Sequence, residues 1–283
     1  MTAAFLSWLA PAKLNLFLHI VGRRADGFHL LQTAFQFIDL CDTLRFDITH
    51  DGCIERNHDL AGIPAKDDLT LRAAVLLQRA TCTSLGARIT CEKKIPLGGG
   101  LGGGSSDAAT TLVALNYLWD TRQSVDQLAE LGLILGADVP VFVRGHAAWA
   151  EGVGEILTPI NPPEPWYLVI NPLCHVSTAE IFNIAELTRN TSPIKIRDFF
   201  AGSGRNDCES PVRARYPAVA TALDWLGKYS SARMTGTGAC LFAAFDTEAR
   251  AREVAVRVPP EWRGFIAKGL NYSPLRAQLN TDA

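Results

Sequence analysis

Residues 96–106 of the chain read PLGGGLGGGSS, with six glycines in the seven positions from Gly98 to Gly104. Glycine lets the backbone take positive φ and come close to a ligand. A strand-like segment, Ala87–Ile95, precedes this glycine loop, and the Ala- and Leu-rich segment Asp107–Leu118 follows it with a helical pattern. Free N–H groups and the helix dipole attract phosphate to such a helix start. The glycine loop is therefore predicted to bind phosphate, because a flexible linker rarely leads into a well-patterned helix.

The glycine loop does not match the common phosphate-binding motifs. A Walker A loop ends in Gly-Lys-Ser/Thr, and no lysine lies between positions 95 and 121. The spacing Gly98-x-Gly100-x-x-Gly103 satisfies the dinucleotide fingerprint, but a helix predicted from Ser124 stands where that fold requires a strand. The His-Arg-Asp and Asp-Phe-Gly triplets of protein kinases are absent from the sequence. The sequence thus predicts a phosphate site of another kind.

Composition limits the class of protein. The formal net charge is −2, with 27 basic against 29 acidic residues and no run of clustered Lys and Arg, so a small molecule is expected as partner rather than nucleic acid. No apolar stretch reaches the length of a membrane span, so no membrane partner is expected. The apolar patch Phe5–Ala10 lacks a basic leader and is predicted to be a first strand, not a secretory signal. Seven cysteines without a C-x-x-C pair predict reduced thiols in a cytosolic protein and no structural metal.

The chain alternates strand and helix patterns around one proline-rich break. Pro162, Pro163 and Pro165 stiffen the connection at Asn161–Pro165, so residues 1–160 and 161–283 are predicted to form an N-terminal and a C-terminal domain. The element order of the second half predicts an antiparallel sheet with helices on one face. Strands are predicted at 14–21, 35–37, 43–48, 87–95, 141–143, 147–151, 167–171, 241–245 and 265–270, and helices at 69–81, 107–118, 124–136, 179–187, 218–229 and 247–256.

The glycine loop resembles the central motif of the GHMP kinases (galactose, homoserine, mevalonate and phosphomevalonate kinases). Two stretches near the start, Pro11–Leu18 and Arg24–His29, resemble the beginning of the cytidine-binding kinase of that family. Gly136–Phe142 resembles its middle and Thr235–Cys240 its C-terminal glycine motif, so the likeness spans almost the whole chain. The resemblance implies an α+β, two-domain fold. Its N-terminal, ATP-binding α/β domain is similar to ribosomal protein S5 domain 2, and its C-terminal α+β domain is ferredoxin-like.

The same resemblance implies a reaction. It is the ATP-dependent phosphorylation of the 2-hydroxyl of 4-diphosphocytidyl-2-C-methyl-D-erythritol, in the non-mevalonate route to isoprenoid precursors. Mg²⁺ is expected with ATP, because metal ions bridge the β- and γ-oxygens in such transfers. A cytoplasmic monomer or weak homodimer is expected. Two alternatives stay open: another GHMP kinase, for homoserine or mevalonate, and a non-catalytic nucleotide-binding regulator, which would dispense with Asp138 and Lys13.

Asp138 and Lys13 are the candidate catalytic residues. Asp138 follows a helix end and precedes Pro140, so a constrained loop can present its carboxylate as a base. Alternatively, Asp138 only caps a short helix. The resemblance favours catalysis. Lys13 stands between Ala12 and Leu14, and it either stabilises the Asp138 carboxylate or neutralises the moving phosphoryl group. Without the resemblance, Lys13 is expected to be a solvated lysine on an edge strand.

The resemblance assigns ATP to the whole glycine loop, namely Pro96, Leu97, Gly98, Gly99, Gly100, Leu101, Gly102, Gly103, Gly104, Ser105 and Ser106. Ser105 and Ser106 add hydroxyls, and either could assist a metal ion. Lys93 or Lys94 is expected near the nucleotide. Asp68 departs from an asparagine of some relatives, which leaves the adenine contacts at that position open.

The resemblance also assigns the substrate to Asn15, Phe28, His29, Thr178, Phe182, Gly236, Thr237 and Gly238. Stacking a pyrimidine on aromatic faces and reading its edge with a histidine is physically reasonable. Without the resemblance, Phe28 and Phe182 are expected in the core, His29 at a surface turn and Thr178 at a helix N-cap. Relatives often carry Tyr at the position of Phe28. The phenylalanine keeps the stacking but lacks the hydroxyl contact that the tyrosine could make. The other histidines are expected to be structural.

Overall fold

The computed structural model describes residues 7–60 and 62–280. Within them the strands are β1 (Trp8–Arg23), β2 (His29–Thr49), β3 (Ile54–Arg56), β4 (Gly86–Glu92), β5 (Ala148–Glu151), β6 (Ile156–Pro159), β7 (Trp166–Asn171), β8 (Ala232–Met234), β9 (Leu241–Phe245) and β10 (Arg263–Leu270). The helices are α1 (Leu69–Thr81), α2 (Gly103–Leu118), α3 (Val125–Leu135), α4 (Val139–Arg144), α5 (Thr178–Asn183), α6 (Ile196–Phe200), α7 (Glu209–Arg215), α8 (Pro217–Leu226), α9 (Glu248–Ala255) and α10 (Pro274–Asn280). No helix of the described residues is long and apolar enough to cross a membrane.

The strands form one sheet in the order β3-β4-β2-β10-β7-β9-β8, with β1 and β5 also paired to β2 and β6 paired to β5. Each pair is antiparallel except β3 with β4, which agrees with the predicted antiparallel α+β architecture. The C-terminal strands join the N-terminal ones through β10, whose Gly269 and Leu270 pair with β2. The two halves of the chain therefore share a sheet.

β1 and β2 form a long hairpin at the centre of this sheet, and β4, β5 and β10 also pair with β2. The register shifts at three places along the pair, which marks β-bulges where the strands bend. The strands predicted at 35–37 and 43–48 are one continuous strand, because β2 runs on through Asp42. That carboxylate is fully buried, and its Oδ1 accepts hydrogen bonds from the backbone N–H groups of Lys94 and Ile95. An acid with such partners does not interrupt a strand.

The hydrophobic core has three parts, and β1 contributes to all of them. Trp8 and Ala10 lie in the first part, against α1 to α4, whereas Leu18 and Ile20 lie in the second, among β7, β9 and the C-terminal helices. The middle of β1, from Ala12 to Phe17, lies in the third part, between these two. Side chains from the middle of β1 are therefore enclosed by both halves of the fold. Phe5 and Leu6, predicted to begin this strand, lie outside the described residues.

The strand predicted at 141–143 is wrong, because this segment is helix α4. Pro140 stands in its first turn, where proline is well tolerated, and Val139–Val143 is buried throughout. A short, fully apolar run shows no periodicity that separates a buried helix from a strand. The strand predicted at 147–151 is confirmed as β5, which pairs with β2 and with β6.

Polar side chains set the starts of two predicted helices. The Asp68 carboxylate accepts from Thr70 N–H at 2.8 Å and begins α1, and Ser124 and Gln127 form a capping box at the start of α3. Helix α5 ends at Asn183, four residues before the predicted end, and α8 ends at Leu226 instead of 229. The sequence did not predict β3, β6, β8, α6, α7 or α10.

Asn206 holds the C-terminal glycine segment against β1. Its buried Nδ2 donates to the carbonyls of Met234 at 2.9 Å and Gly236 at 2.8 Å. We expect Asn206→Asp to lower the free energy of unfolding by about 2–4 kcal/mol, because a carboxylate would face two buried carbonyls without a donor. Urea unfolding followed by circular dichroism measures it. The exposed Asn190→Asp is the matched control, with an expected change within about 0.5 kcal/mol. Equal losses in both variants would contradict the structural role of Asn206.

Candidate active site

A cleft of about 450 Å³ opens between the glycine loop, the middle of β1 and the segment at 236–237. Its lining contains most of the residues that the sequence singled out. They are Lys13 and Asn15 from β1, every residue from Pro96 to Ser105, Asp138 at the start of α4, Thr178 and Phe182 from α5, and Gly236 and Thr237. Of the predicted site residues, Phe28, His29, Ser106 and Gly238 do not line this cleft.

The glycine loop needs its glycines for conformation and for space. Gly98, Gly100 and Gly102 have φ of 66°, 74° and 73°, values that other residues rarely adopt. Gly102 is the N-cap of α2, so its helix begins at Gly103 and its first N–H groups face the cleft without a competing cap side chain. This geometry suits a phosphate, as predicted from the sequence.

The two serines after the glycines differ in position. Ser105 lines the cleft, so its hydroxyl is available to a ligand. Ser106 is fully buried, and its Oγ has no hydrogen-bond partner. The interpretation that either serine could assist a metal ion therefore narrows to Ser105.

A second glycine segment, residues 235–238, packs directly on the glycine loop. Thr235 Oγ1 donates to the Gly100 carbonyl at 3.3 Å and accepts from Asn15 N–H at 2.9 Å. Gly236 has φ of 56° and lies in the cleft wall, whereas Gly238 is buried behind it. The segment is therefore both a tight turn before β9 and a wall of the cleft.

Lys13 and Asp138 form an ion pair within the cleft, with Lys13 Nζ 3.2 Å from Asp138 Oδ2. The lysine side chain is 4% exposed, so it is not a solvated lysine on an edge strand. Its ammonium also donates to Asn15 Oδ1 at 2.5 Å and lies 5.2 Å from the centre of the Phe35 ring. Carboxylate, amide and ring together keep this cation in one place.

Asp138 does not act as a helix cap, although it occupies the N-cap position of α4. Its side chain makes no capping hydrogen bond there and is 34% exposed. One oxygen, Oδ2, contacts Lys13 while the group remains accessible from the cleft. The side chain of Asp138 therefore does not cap a helix. It has the access to the cleft that a general base or a hydroxyl-orienting group requires.

One aromatic residue of the predicted set lines the cleft, and a second one packs on it. Phe182 lines the cleft, and its ring stacks on His29 with centroids 4.9 Å apart and an angle of 19° between planes. Phe28 is 63% exposed, so the expectation of a core residue is wrong. His29 is nearly buried rather than at the surface, and burial, with the charges of Arg189 and Arg23, lowers its pKa.

Thr178 is not the N-cap of α5. Ser177 has that role, since its hydroxyl accepts from Glu180 N–H at 3.3 Å. The Thr178 hydroxyl instead lies 2.8 Å from that of Thr237 across the cleft wall. The ligand-facing interpretation of Thr178 is therefore the one compatible with its position.

Behind the glycine loop lies a buried ionic network that sequence reasoning missed. Lys93 Nζ is 2.5 Å from Asp42 Oδ2 and 2.6 Å from Asp107 Oδ2. Burial raises the pKa of Asp107 to about 7, with Asp42 adding to the shift and Lys93 opposing it. The signal in the sequence was Asp107, the one charged residue of α2. Lys94 is exposed beside Glu92. Lys93 and Lys94, one of which was expected near the nucleotide, are both outside the lining of the cleft.

The sequence matches one enzyme family in both halves. Residues 68–146 match the family described as GHMP kinases N terminal domain, and residues 184–263 match GHMP kinases C terminal. A protein of Nitrosococcus oceani named 4-diphosphocytidyl-2-C-methyl-D-erythritol kinase is 59% identical over 95% of this chain and 96% of its own length. A protein of Pseudomonas syringae with the same name is 56% identical, with the same two coverages.

Solved structures agree with the sequence matches. A crystal structure of 4-(cytidine 5'-diphospho)-2C-methyl-D-erythritol kinase superposes with a TM-score of 0.81 at 31% identity, covering 93% of this chain and 99% of that one. A crystal structure of mevalonate kinase superposes with a TM-score of 0.71 at 18% identity, covering 94% and 99%. The second match is similar in fold alone.

A substitution at Gly100 tests the contact between the two glycine segments. A Cβ built on Gly100 would lie 2.4 Å from the Thr235 carbonyl oxygen and 3.1 Å from that of Gly238. We expect Gly100→Ala to lower the free energy of unfolding by about 2–4 kcal/mol, from the positive φ and the overlap together. Urea unfolding measures this change.

The matched control for this variant is Gly104→Ala. Its added methyl group meets only Leu69, at 3.6 Å, and φ at this position is not positive. Unfolding of Gly104→Ala should therefore need no less urea than that of the parent protein. If Gly100→Ala were as stable as Gly104→Ala, the close approach of the two segments would not hold in solution.

Proposed function

The chain belongs to the GHMP kinase family, and from this premise we propose that it transfers the γ-phosphoryl group of ATP to the 2-hydroxyl of 4-diphosphocytidyl-2-C-methyl-D-erythritol. Relatives that share more than half of its residues over nearly their whole length bear the name of that kinase. The observation that carries the chemistry is the Lys13–Asp138 pair, which lies in the same cleft as the glycine loop.

The proposed transfer uses the cleft from both sides. The N–H groups at the start of α2 and of the glycine loop bind the phosphates of ATP. Asp138 takes the proton of the 2-hydroxyl through the oxygen that Lys13 leaves free, or orients that hydroxyl. A bond forms between the hydroxyl oxygen and the γ-phosphorus as the bond from the β,γ-bridging oxygen breaks, and ADP leaves. Lys13 offsets the negative charge on the reacting group.

Mg²⁺ fits this arrangement as an ion brought by the nucleotide. The described residues contain no group of three or more His, Cys, Asp or Glu that could hold a metal by themselves. Ser105 presents a hydroxyl oxygen at the cleft, and Mg²⁺ is usually bound by few protein oxygens together with substrate phosphates. When bound, the ion would neutralise negative charge on the phosphates of the nucleotide.

The opposite end of the cleft is proposed to bind the rest of the substrate. Phe182 and His29 would read the cytosine, and the exposed Phe28 is free to stack on it. Asn15, Thr178 and the backbone at 236–238 would contact the methylerythritol and its phosphates. A neutral donor such as the Asn15 amide suits a polyol, whose hydroxyl groups are uncharged.

We also propose a domain division for the chain. It divides at the prolines of 161–165 into domains of residues 1–160 and 161–283. The enzyme is proposed to act in the cytoplasm as a monomer or weak homodimer, without nucleic-acid or membrane partners.

The direct test is an ADP-release assay with ATP, Mg²⁺ and the cytidylyl substrate, with homoserine and mevalonate in parallel. Turnover with the cytidylyl substrate alone is the expected result. Turnover only with homoserine or mevalonate would assign the chain to another reaction of the family. Nucleotide binding with no turnover of any of the three would favour a regulator on the same fold.

Asp138→Asn is expected to lower kcat by roughly 10²–10⁴-fold, since this is the usual contribution of a positioned general base. The amide keeps the shape and loses the ability to accept the proton. Steady-state kinetics with the cytidylyl substrate give kcat, and nucleotide binding shows that the cleft remains intact. The control is Asp126→Asn, because Asp126 is 75% exposed and pairs only with Arg144 at 2.8 Å. A variant at Asp138 that turns over as fast as the Asp126 variant rules out the proposed base.

A further inference from the structure

Arg189, which sequence reasoning did not single out, is in contact with both aromatic residues at the cytidine end of the cleft. All five N–H groups of its guanidinium have acceptors. The Nε–H group donates to His29 Nε2 at 3.1 Å. The four others donate to carbonyls at the end of α5 and just beyond it, those of Phe182, Ile184, Ala185 and Leu187, at distances of 2.6–3.4 Å.

This arrangement determines the state of the His29 ring. A guanidinium carries donors and no acceptor, so His29 Nε2 must present its lone pair to Arg189. A neutral imidazole whose Nε2 accepts carries its proton on Nδ1. His29 is thereby a neutral ring with Nδ1–H as the donor left for a ligand.

The charges around His29 act in the same direction. Arg189 faces the ring from the segment after α5, and Arg23 faces it from the end of β1. Burial, followed by these two cations, holds the pKa of His29 below its usual range. The ring is thus neutral at pH 7, and protonation of Nε2 would set two donors against each other.

The same guanidinium also positions Phe182. Helix α5 is only six residues long, and the last carbonyls of a helix lack partners within it. Arg189 provides donors for these carbonyls, including that of Phe182 itself, and so acts as a C-terminal cap for α5. The stacked pair His29–Phe182 thus depends on one side chain that touches both of its members.

We propose that Arg189 is a positioning residue for recognition of the pyrimidine, which fixes His29 as a neutral Nδ1–H donor and holds Phe182 against it. This proposal rests on the proposed function, because cytosine offers acceptors at N3 and O2 that suit such a donor. Arg189 acts through His29 and Phe182, and it is outside the lining of the cleft where the phosphates would lie.

The first test is the tautomer of His29 in the protein itself, by proton–nitrogen correlation NMR of the histidine side chains. The expected spectrum has a lone-pair nitrogen at Nε2 and a protonated nitrogen at Nδ1. A ring protonated at Nε2 would overturn the proposal. This measurement needs no substrate, so its result is independent of whether the chain is the proposed kinase.

The second test is kinetic, with Arg189→Met. We expect the KM for the cytidylyl substrate to rise roughly tenfold or more, with kcat and the KM for ATP within about twofold. This pattern is expected when the contacts of Arg189 with His29 and Phe182 serve substrate binding and not the chemical step. The matched control is Arg215→Met, because Arg215 reaches the acidic residues of the same region, Glu180 and Glu186, only at 3.7–3.8 Å. Arg215→Met should leave all three parameters as they are.

A double substitution separates the effect that passes through His29 from the support of α5. In a His29→Ala background, Arg189→Met should raise KM by clearly less than in the parent protein, since only the support of Phe182 is then lost. An unchanged tenfold effect in that background would mean that Arg189 acts without His29, and the proposal would fail. Absence of turnover in the parent protein would instead refute the proposed function, with the NMR result still deciding the tautomer.

The pH dependence gives a further readout. Removing the Arg189 charge lets the pKa of His29 rise, so the ring becomes protonated at a higher pH than in the parent protein. The increase in substrate KM on acidification should therefore begin at a higher pH in Arg189→Met. In Arg189→Lys, which keeps the charge, it should begin near the parental pH. Identical profiles for the parent and the Met variant would count against the proposal.

Discussion

A buried ammonium group is the constraint around which this active site is built. β1 runs through every part of the core, and the lysine in its middle is only 4% exposed, at the wall of the cleft. Moving a charge into a protein interior is unfavourable unless it is paired and hydrogen-bonded. Lys13 meets this requirement with Asp138, Asn15 and Phe35, which come from α4, β1 and β2. The position of α4 against the hairpin is thus tied to the chemistry of one side chain.

The second constraint is space between the two glycine segments. Gly100 and the backbone at 235–238 approach so closely that a methyl group does not fit, and Thr235 bonds Gly100 and Asn15 at the same time. The cleft wall therefore couples the N-terminal glycine loop to the C-terminal half of the chain. Backbone groups that are fixed in this way can present N–H donors to phosphate without reorganising, so a loop without a lysine is suited to an anion.

Local chemistry made much of this predictable. Asp68, Ser124 and the glycines mark helix ends through interactions with their own neighbours, so α1, α3 and the start of α2 could be anticipated within a few residues. Segment 139–144 was misassigned, because a fully buried apolar run has no polar face to reveal its period. Lys93 and Asp107 are 14 positions apart, and His29 and Arg189 are 160 apart. Such contacts depend on the tertiary fold, and no pattern along the sequence indicates them.

The two ends of the cleft solve different recognition problems. Phosphates are anionic, and we propose that the glycine loop and Lys13 bind them with backbone dipoles and a fixed cation. A pyrimidine is neutral and differs from its analogues only in donors and acceptors, so a histidine that changed charge near pH 7 would read it poorly. Arg189 keeps its own charge away from the base by donating each N–H to the protein, and its field keeps His29 neutral. A cation can thus serve the specificity of an uncharged contact without touching the ligand.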